Sequence, residues 1–198
     1  MIWDAIQMGK FGKLNLDVVW LDLAKAYSSE PQHIIQQAPR MYHIPEDTQV
    51  LLQDYFNGFK MRFSTEKYSA DWINLEVGFA IGRTISPILF ALAMEVIPRA
   101  AEGSASPADL DRGCFMPPVK AFIDDITIPC SKENKTCPML VWLDAVMNRG
   151  RMSLKPNNSR SLSIMKGKVN EDVCFKVKIY KGSVKSLSRS SEDGMTHS

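Results

Sequence analysis

Short apolar runs separated by polar, glycine- or proline-bearing stretches set the rhythm of this chain. Residues 17–23 (Asp-Val-Val-Trp-Leu-Asp-Leu) are apolar almost throughout, with Asp22 as an interruption near the end. A run that is apolar on both alternating faces predicts a central strand buried on both sides. Residues 121–128 (Ala-Phe-Ile-Asp-Asp-Ile-Thr-Ile) set two carboxylates between two apolar runs rich in β-branched residues. That pattern predicts a strand, a tight turn and a second strand, with Asp124 and Asp125 at the tip. Residues 161–165 and 173–180 read as strands joined across Lys166-Gly167-Lys168, and residues 59–65 and 72–77 alternate well enough to form a hairpin with a polar loop.

Helical periodicity is found elsewhere. Ile34, Ile35 and Ala38 share one apolar face of a segment opened by Ser29 and Pro31, and Pro39 is expected to break or kink it. Pro45-Glu46-Asp47 starts a better helix running to about Phe56, with Gly58 as its stop. Ser86 is placed to cap a helix whose first residue is Pro87. That helix, residues 87–97, is apolar nearly all round and is expected to be buried. Residues 139–148 form a further amphipathic helix. Residues 1–16 are weakly patterned. Residues 102–118 and 134–138 read as loops, 155–159 (Lys-Pro-Asn-Asn-Ser) as a turn, and the Ser-rich tail from Ser186 as disordered. No internal repeat is present.

Composition changes this picture only locally. The chain has 198 residues, enough for one domain with a sizeable core or a large piece of a bigger one. Its 45% hydrophobic and 23% charged residues are ordinary for a globular protein, and a net charge of +2 demands no nucleic-acid partner. The charge is uneven, however. Residues 149–189 carry eleven Lys and Arg against only Glu171 and Asp172. Such a segment either lies against phosphates or is a solvated surface. Cys114, Cys130, Cys137 and Cys174 have no C-x-x-C spacing and His33, His43 and His197 do not cluster with them, so neither zinc nor a disulfide framework is indicated. Two glycosylation sequons begin at Asn134 and Asn157, but no signal peptide opens the chain. The longest apolar run, residues 87–94, ends at Glu95, far short of the ~20 residues that cross a bilayer. A soluble intracellular protein is expected, cytoplasmic or nuclear and not secreted, with no membrane partner.

Two features carry candidate chemistry. Asp22 at the end of a buried strand needs a cation or several donors, unless it caps the helix that Ala24, Lys25 and Ala26 would begin. Asp124-Asp125 is either an ordinary turn or a cation site, since two like charges in an apolar setting are costly unless a cation holds them. Together the three acids could hold two divalent ions through oxygen ligands. A third, weaker feature is Gly78 and Gly82, four apart and feeding the Ser86 helix start, a candidate phosphate cradle without the P-loop Lys-Ser pair.

Four segments in order resemble the reverse transcriptase domain of non-LTR retrotransposons. Residues 19–27 (Val-Trp-Leu-Asp-Leu-Ala-Lys-Ala-Tyr) are similar to the family's first palm motif and residues 78–90 (Gly-Phe-Ala-Ile-Gly-Arg-Thr-Ile-Ser-Pro-Ile-Leu-Phe) to its second. Residues 121–127 (Ala-Phe-Ile-Asp-Asp-Ile-Thr) are similar to the third and residues 152–167 to the fourth. The resemblance implies an α+β, right-hand polymerase palm, an antiparallel sheet backed by helices, with part of the fingers, over residues 1–188, and a tail at 189–198. It implies an RNA-directed DNA polymerase using an RNA template, a DNA primer, deoxynucleoside triphosphates and Mg²⁺ or Mn²⁺. Asp22, Asp124 and Asp125 would be the catalytic metal ligands. Tyr27 would be the steric gate against a ribose 2′-hydroxyl, or simply a buried aromatic. Leu23, Gly82, Arg83 and Lys155 would lie on the substrate side, and the basic strands after Lys155 would face the primer–template backbone. The sequence is silent on oligomeric state.

The chain also departs from that family. Ile81 stands where relatives carry Gln, Pro39 interrupts a helix, and Ser188 replaces a Gly near the Val184-Lys185-Ser186-Leu187 segment. Asn158 replaces the Lys that acts as general acid toward pyrophosphate, and an amide cannot do this. Lys155 is the residue that could substitute. No thumb follows, little of the fingers precedes, and no endonuclease or RNase H region is present. A non-catalytic retroelement remnant that at most binds nucleic acid is therefore the alternative, and a metal-dependent nuclease a third, which would leave Tyr27 and the second motif without a purpose.

Overall fold

Leu16 to Leu23 are nearly all buried in the structure, a computed structural model, and this run forms the central strand of the main sheet. The structure describes residues 2–29, 32–57, 59–74, 78, 84–104, 108–109, 115–131, 133–150, 152–173, 175–178 and 184–189. In chain order the elements begin with α1 (Ile2–Phe11), β1 (Leu16–Ala24), α2 (Ala26–Ser29), α3 (Gln32–Met41) and α4 (Glu46–Asn57). They continue with β2 (Lys60–Met61), β3 (Ile73–Asn74), α5 (Ser86–Met94), α6 (Val96–Ser104), β4 (Ala108–Asp109) and β5 (Phe115–Met116). Next are β6 (Lys120–Phe122), β7 (Asp125–Cys130), α7 (Glu133–Arg149), β8 (Ser153–Leu154) and β9 (Arg160–Met165). Last come β10 (Lys168–Val169), β11 (Lys176–Lys178), β12 (Val184–Ser186) and β13 (Ser188–Arg189). The fold is a mixture of helices and largely antiparallel sheet. The chain divides into two compact units, residues 1–24 with 94–198, and residues 25–93.

The first unit is built on a seven-stranded sheet in the order β10-β9-β1-β7-β6, with β8 also pairing β1 and β13 pairing β9 in parallel. β1 is central, between β7 and β9, both antiparallel to it. One sheet face carries Leu16, Val18, Leu162 and Ile164, packed with Ala5 and Ile6 of α1 and with Ala108 and Met116 of the β4–β5 ladder. The other face carries Asp17, Val19 and Leu21 opposite Cys130, Ile128 and Ile126, and the α7 residue Thr136 bonds Asp17 from that side.

The second unit contains α2 to α5 and the β2–β3 hairpin. Ile35 and Ala38 of α3 and Leu52 and Phe56 of α4 are buried. Among the described residues the hairpin pairs Lys60–Met61 with Ile73–Asn74, plus a Ser64–Ser69 bridge. Residues 75–77 of the predicted hairpin lie outside the described residues.

Several expectations are corrected. Residues 2–11 form a helix where no pattern was expected. Its buried stripe, Ala5, Ile6 and Gly9, is too small and short to stand out as periodicity. The helix ends in a Schellman motif: the Leu14 N–H donates to Gly9 (2.9 Å) and the Lys13 N–H to Lys10 (3.3 Å), with Lys13 at φ +54°. α3 does not break at Pro39 but ends two residues beyond it, at Met41. The same motif closes the helix there, with Ile44 N–H donating to the Pro39 carbonyl and His43 at φ +52°. The predicted helix 87–97 is two helices separated at Glu95, the second running to Ser104, and Ile88 is 67% exposed rather than buried. α7 begins at Glu133, ahead of Pro138, because the Thr136 hydroxyl anchors its first turns to Asp17. β9 pairs with β10 at Lys168–Val169, and the described strand of the 173–180 segment, β11, pairs with β12. The turn between β9 and β10 fits beneath the end of α1, where Gly167 has φ +80° and an added Cβ would stand 2.5 Å from the Lys10 carbonyl oxygen. Strand pairing extends to Arg189, past the Ser186 where a disordered tail was expected, and residues 190–198 lie outside the described residues.

Candidate carboxylate site at the end of the central strand

The site is assembled by strand register. β6 and β7 form a hairpin whose last pair is Phe122 with Asp125, leaving Ile123 and Asp124 as a two-residue turn. Ile123 takes φ +57°, a conformation that costs a β-branched residue energy. β7 pairs with β1 so that Asp125 lies directly opposite Asp22. Directly opposed residues of an antiparallel pair point to the same face, with Cβ atoms about 5 Å apart. The Leu23 N–H donates to the Asp124 carbonyl (3.3 Å), which ties the turn to β1. Asp22 is thus a strand residue and not a helix cap, since α2 begins only at Ala26.

Two like charges directly opposed destabilise a sheet. Burial, followed by the charges of Asp124 and Asp22, pushes the Asp125 carboxyl above its ordinary 3.8. Asp125 therefore feels the charge of both other acids.

Asp22 is also held from its other side by the turn at residues 155–159. Asn158 Nδ2 donates to Asp22 Oδ2 at 2.7 Å, and Lys155 Nζ reaches the same oxygen at 3.4 Å. The Lys155 N–H donates to the Asp22 carbonyl (2.8 Å), and the Asp22 N–H donates to Ser159 Oγ (3.2 Å). The donor set of three carboxylates is all oxygen, which hard divalent cations take. As folded, though, it is not a ready cage: among the described residues no group of three or more His, Cys, Asp or Glu side chains is placed to hold a metal ion.

The remaining candidates are distributed as follows. The Leu23 side chain is buried and its position pairs with Leu154, so only its backbone faces the turn. Tyr27 is half-buried in α2, its ring stacked on Phe90 at 4.2 Å, so it packs as an aromatic within the second unit. Gly82 and Arg83 lie outside the described residues, as does most of the glycine-bearing stretch before Ser86. Arg160 stands opposite Trp20, two positions from Asp22 and on the same face. Lys166, Lys168 and Lys176 of the basic segment are exposed. Ser159, which is not among the expected site residues, is fully buried and accepts from the Asp22 N–H. Its position closing an Asn-Asn-Ser turn was the available signal.

No family model matches the sequence, and no curated protein matches it. The fold is similar to that of a solved structure of apo telomerase from Candida tropicalis truncated from the C-terminal domain, with a TM-score of 0.63 at 9% identity. The match covers 93% of this chain and 38% of that one, so the chain spans well under half the length of that protein. At this identity the likeness is one of fold. No helix among the described residues is long and apolar enough to cross a membrane.

Proposed function

We propose that this chain is the palm, with part of the fingers, of an RNA-directed DNA polymerase related to those of non-LTR retrotransposons. The observation that carries the reading is the register of Asp22 opposite Asp125, with Asp124 in the adjoining turn. It places carboxylates from two of the four family-like segments on one face of the sheet. The fold likeness to a telomerase supports it, as does the family order of all four segments.

In this reading the chain joins a deoxynucleoside triphosphate to the 3′-hydroxyl of a DNA primer on an RNA template. Asp22, Asp124 and Asp125 are the ligands for Mg²⁺ or Mn²⁺, and what a bound ion supplies there is activation of the hydroxyl and neutralisation of phosphate charge. Lys155 is the proton donor to the departing pyrophosphate, because the Asn158 amide is far too weak an acid to transfer a proton. Arg160 and the exposed lysines after it neutralise backbone phosphates, which makes binding salt-dependent. By resemblance Tyr27 excludes the ribose 2′-hydroxyl, and Leu23, Gly82 and Arg83 contact the nucleotide.

The capture of Asp22 Oδ2 by Asn158 and Lys155 favours a second reading, a non-catalytic remnant that binds nucleic acid without turnover. Primer extension on poly-rA with oligo-dT, dTTP and Mg²⁺ separates the two. The polymerase reading expects extension by the chain and a loss of at least about a hundredfold in Asp124→Ala, the scale of losing a charge-stabilising group in a reaction site. Absence of extension in both, with salt-sensitive binding to the template–primer, leaves only the remnant.

A further inference from the structure

Three of Asp22's four polar atoms are bonded to a single five-residue turn. Its N–H donates to Ser159 Oγ, its carbonyl accepts from the Lys155 N–H, and Oδ2 accepts from Asn158 Nδ2 and Lys155 Nζ. The turn braces itself: Ser159 Oγ donates to the Lys155 carbonyl at 2.8 Å, and the backbone N–H groups of Asn158 and Ser159 both reach it at 3.1 Å. A turn that only fixed the strand would be served by the two backbone bonds. The contacts to the carboxylate do something else. They give it a hydrogen bond of 2.7 Å and a positive charge at 3.4 Å, the two things a bound cation would otherwise provide.

We propose that residues 155–159 form a latch on Asp22, in which the Lys155 ammonium and the Asn158 amide occupy the carboxylate in place of a divalent cation and must let go before one can bind. The proposal rests on the reading of Asp22 as a metal ligand. It gives Lys155 two positions, paired with Asp22 when the latch is closed and free to serve as a proton donor when it is open. Lys155 and Asn158 act through Asp22 here, as positioning residues.

The test is titration with Mn²⁺ alone, followed by electron paramagnetic resonance of the free ion, on the full chain and on Lys155→Met and Asn158→Leu. Neither substitution removes the backbone bonds of the turn, and circular-dichroism melting verifies that each variant folds. The latch expects both variants to bind Mn²⁺ more tightly. Lys155→Met should gain roughly tenfold, the scale of removing one unit charge beside the ion at a partly exposed site. Adding Asp22→Asn to Lys155→Met should abolish the gain. Equal or weaker binding by the two variants, with Asp22-dependent binding by the wild-type chain, overturns the latch and leaves the metal site standing. No Mn²⁺ binding by any form, latched or unlatched, overturns both.

Discussion

Asp17 and Asp22 lie on the same strand, five residues apart, and they are used in opposite ways. Asp17 is 3% exposed and faces α7, where its two carboxylate oxygens each accept a hydroxyl at 2.7 Å, one from Thr136 and one from Ser163. Burial, more than any nearby group, pushes the neighbouring Cys130 thiol upward. Asp22 lies on the opposite face, beyond the reach of the α1 packing, with partners that are a flexible ammonium and an amide on a turn. The donors to Asp17 are short side chains fixed by a helix and a strand, and they cannot leave without opening the core. The donors to Asp22 can rotate into water. A carboxylate held by buried hydroxyls is a structural joint, whereas one held by an exposed amide and a half-exposed ammonium can exchange its partners.

The sharpest test of that contrast is Asp17→Ala. It leaves two buried hydroxyls without their acceptor and should cost about 3 kcal/mol in urea unfolding, whereas Asp22→Ala should cost about 1 kcal/mol or less. Equal losses would erase the distinction. Thr136→Val removes one of these hydroxyl donors and the tether on the first turns of α7, so it should cost about 1.5 kcal/mol and lower the melting temperature accordingly. Asp125→Asn should stabilise by roughly 0.5 kcal/mol at neutral pH, because it removes a partly buried charge that lies beside Asp124 and opposite Asp22. The sign follows from the raised carboxyl of Asp125. Below 3.8 it is protonated folded or unfolded, and the variant has no advantage. As pH rises through the elevated folded value the wild-type chain loses stability that the variant keeps. A pH series of melting curves for the two proteins reads this directly.

Much of the first unit was legible in the sequence. The unbroken apolar run of β1 announces a central strand because it must satisfy both faces. The Asp-Asp pair announces a hairpin tip because acids between β-branched runs have few other places to go. Other features were hidden by local signals that tertiary structure overrides. Pro39 and Pro138 each argue against helix, yet α3 accommodates the first in its last turn and the Thr136–Asp17 bond holds α7 together across the second. The pairing of β9 with β10 was not expected because two residues, Lys168 and Val169, are too few to show alternation. At the site, the meeting of Asp22 with Asp125 was expected only through family resemblance. The convergence of Asn158, Lys155 and Ser159 on Asp22 was not expected at all, because no spacing rule connects residues more than 130 positions apart.

The turn that carries Asp124 has a kinetic consequence. A two-residue hairpin turn ordinarily contains Asn, Asp or Gly where φ is positive, and such residues let the turn form early by itself. Ile123 at φ +57° opposes that conformation, so the β6–β7 hairpin is a poor folding nucleus. The turn is held instead by pairing of β7 with β1 and by the Leu23 bond to Asp124. Contacts across more than a hundred residues must close before this short one is stable, and the acidic tip is therefore among the last parts of the sheet to take shape.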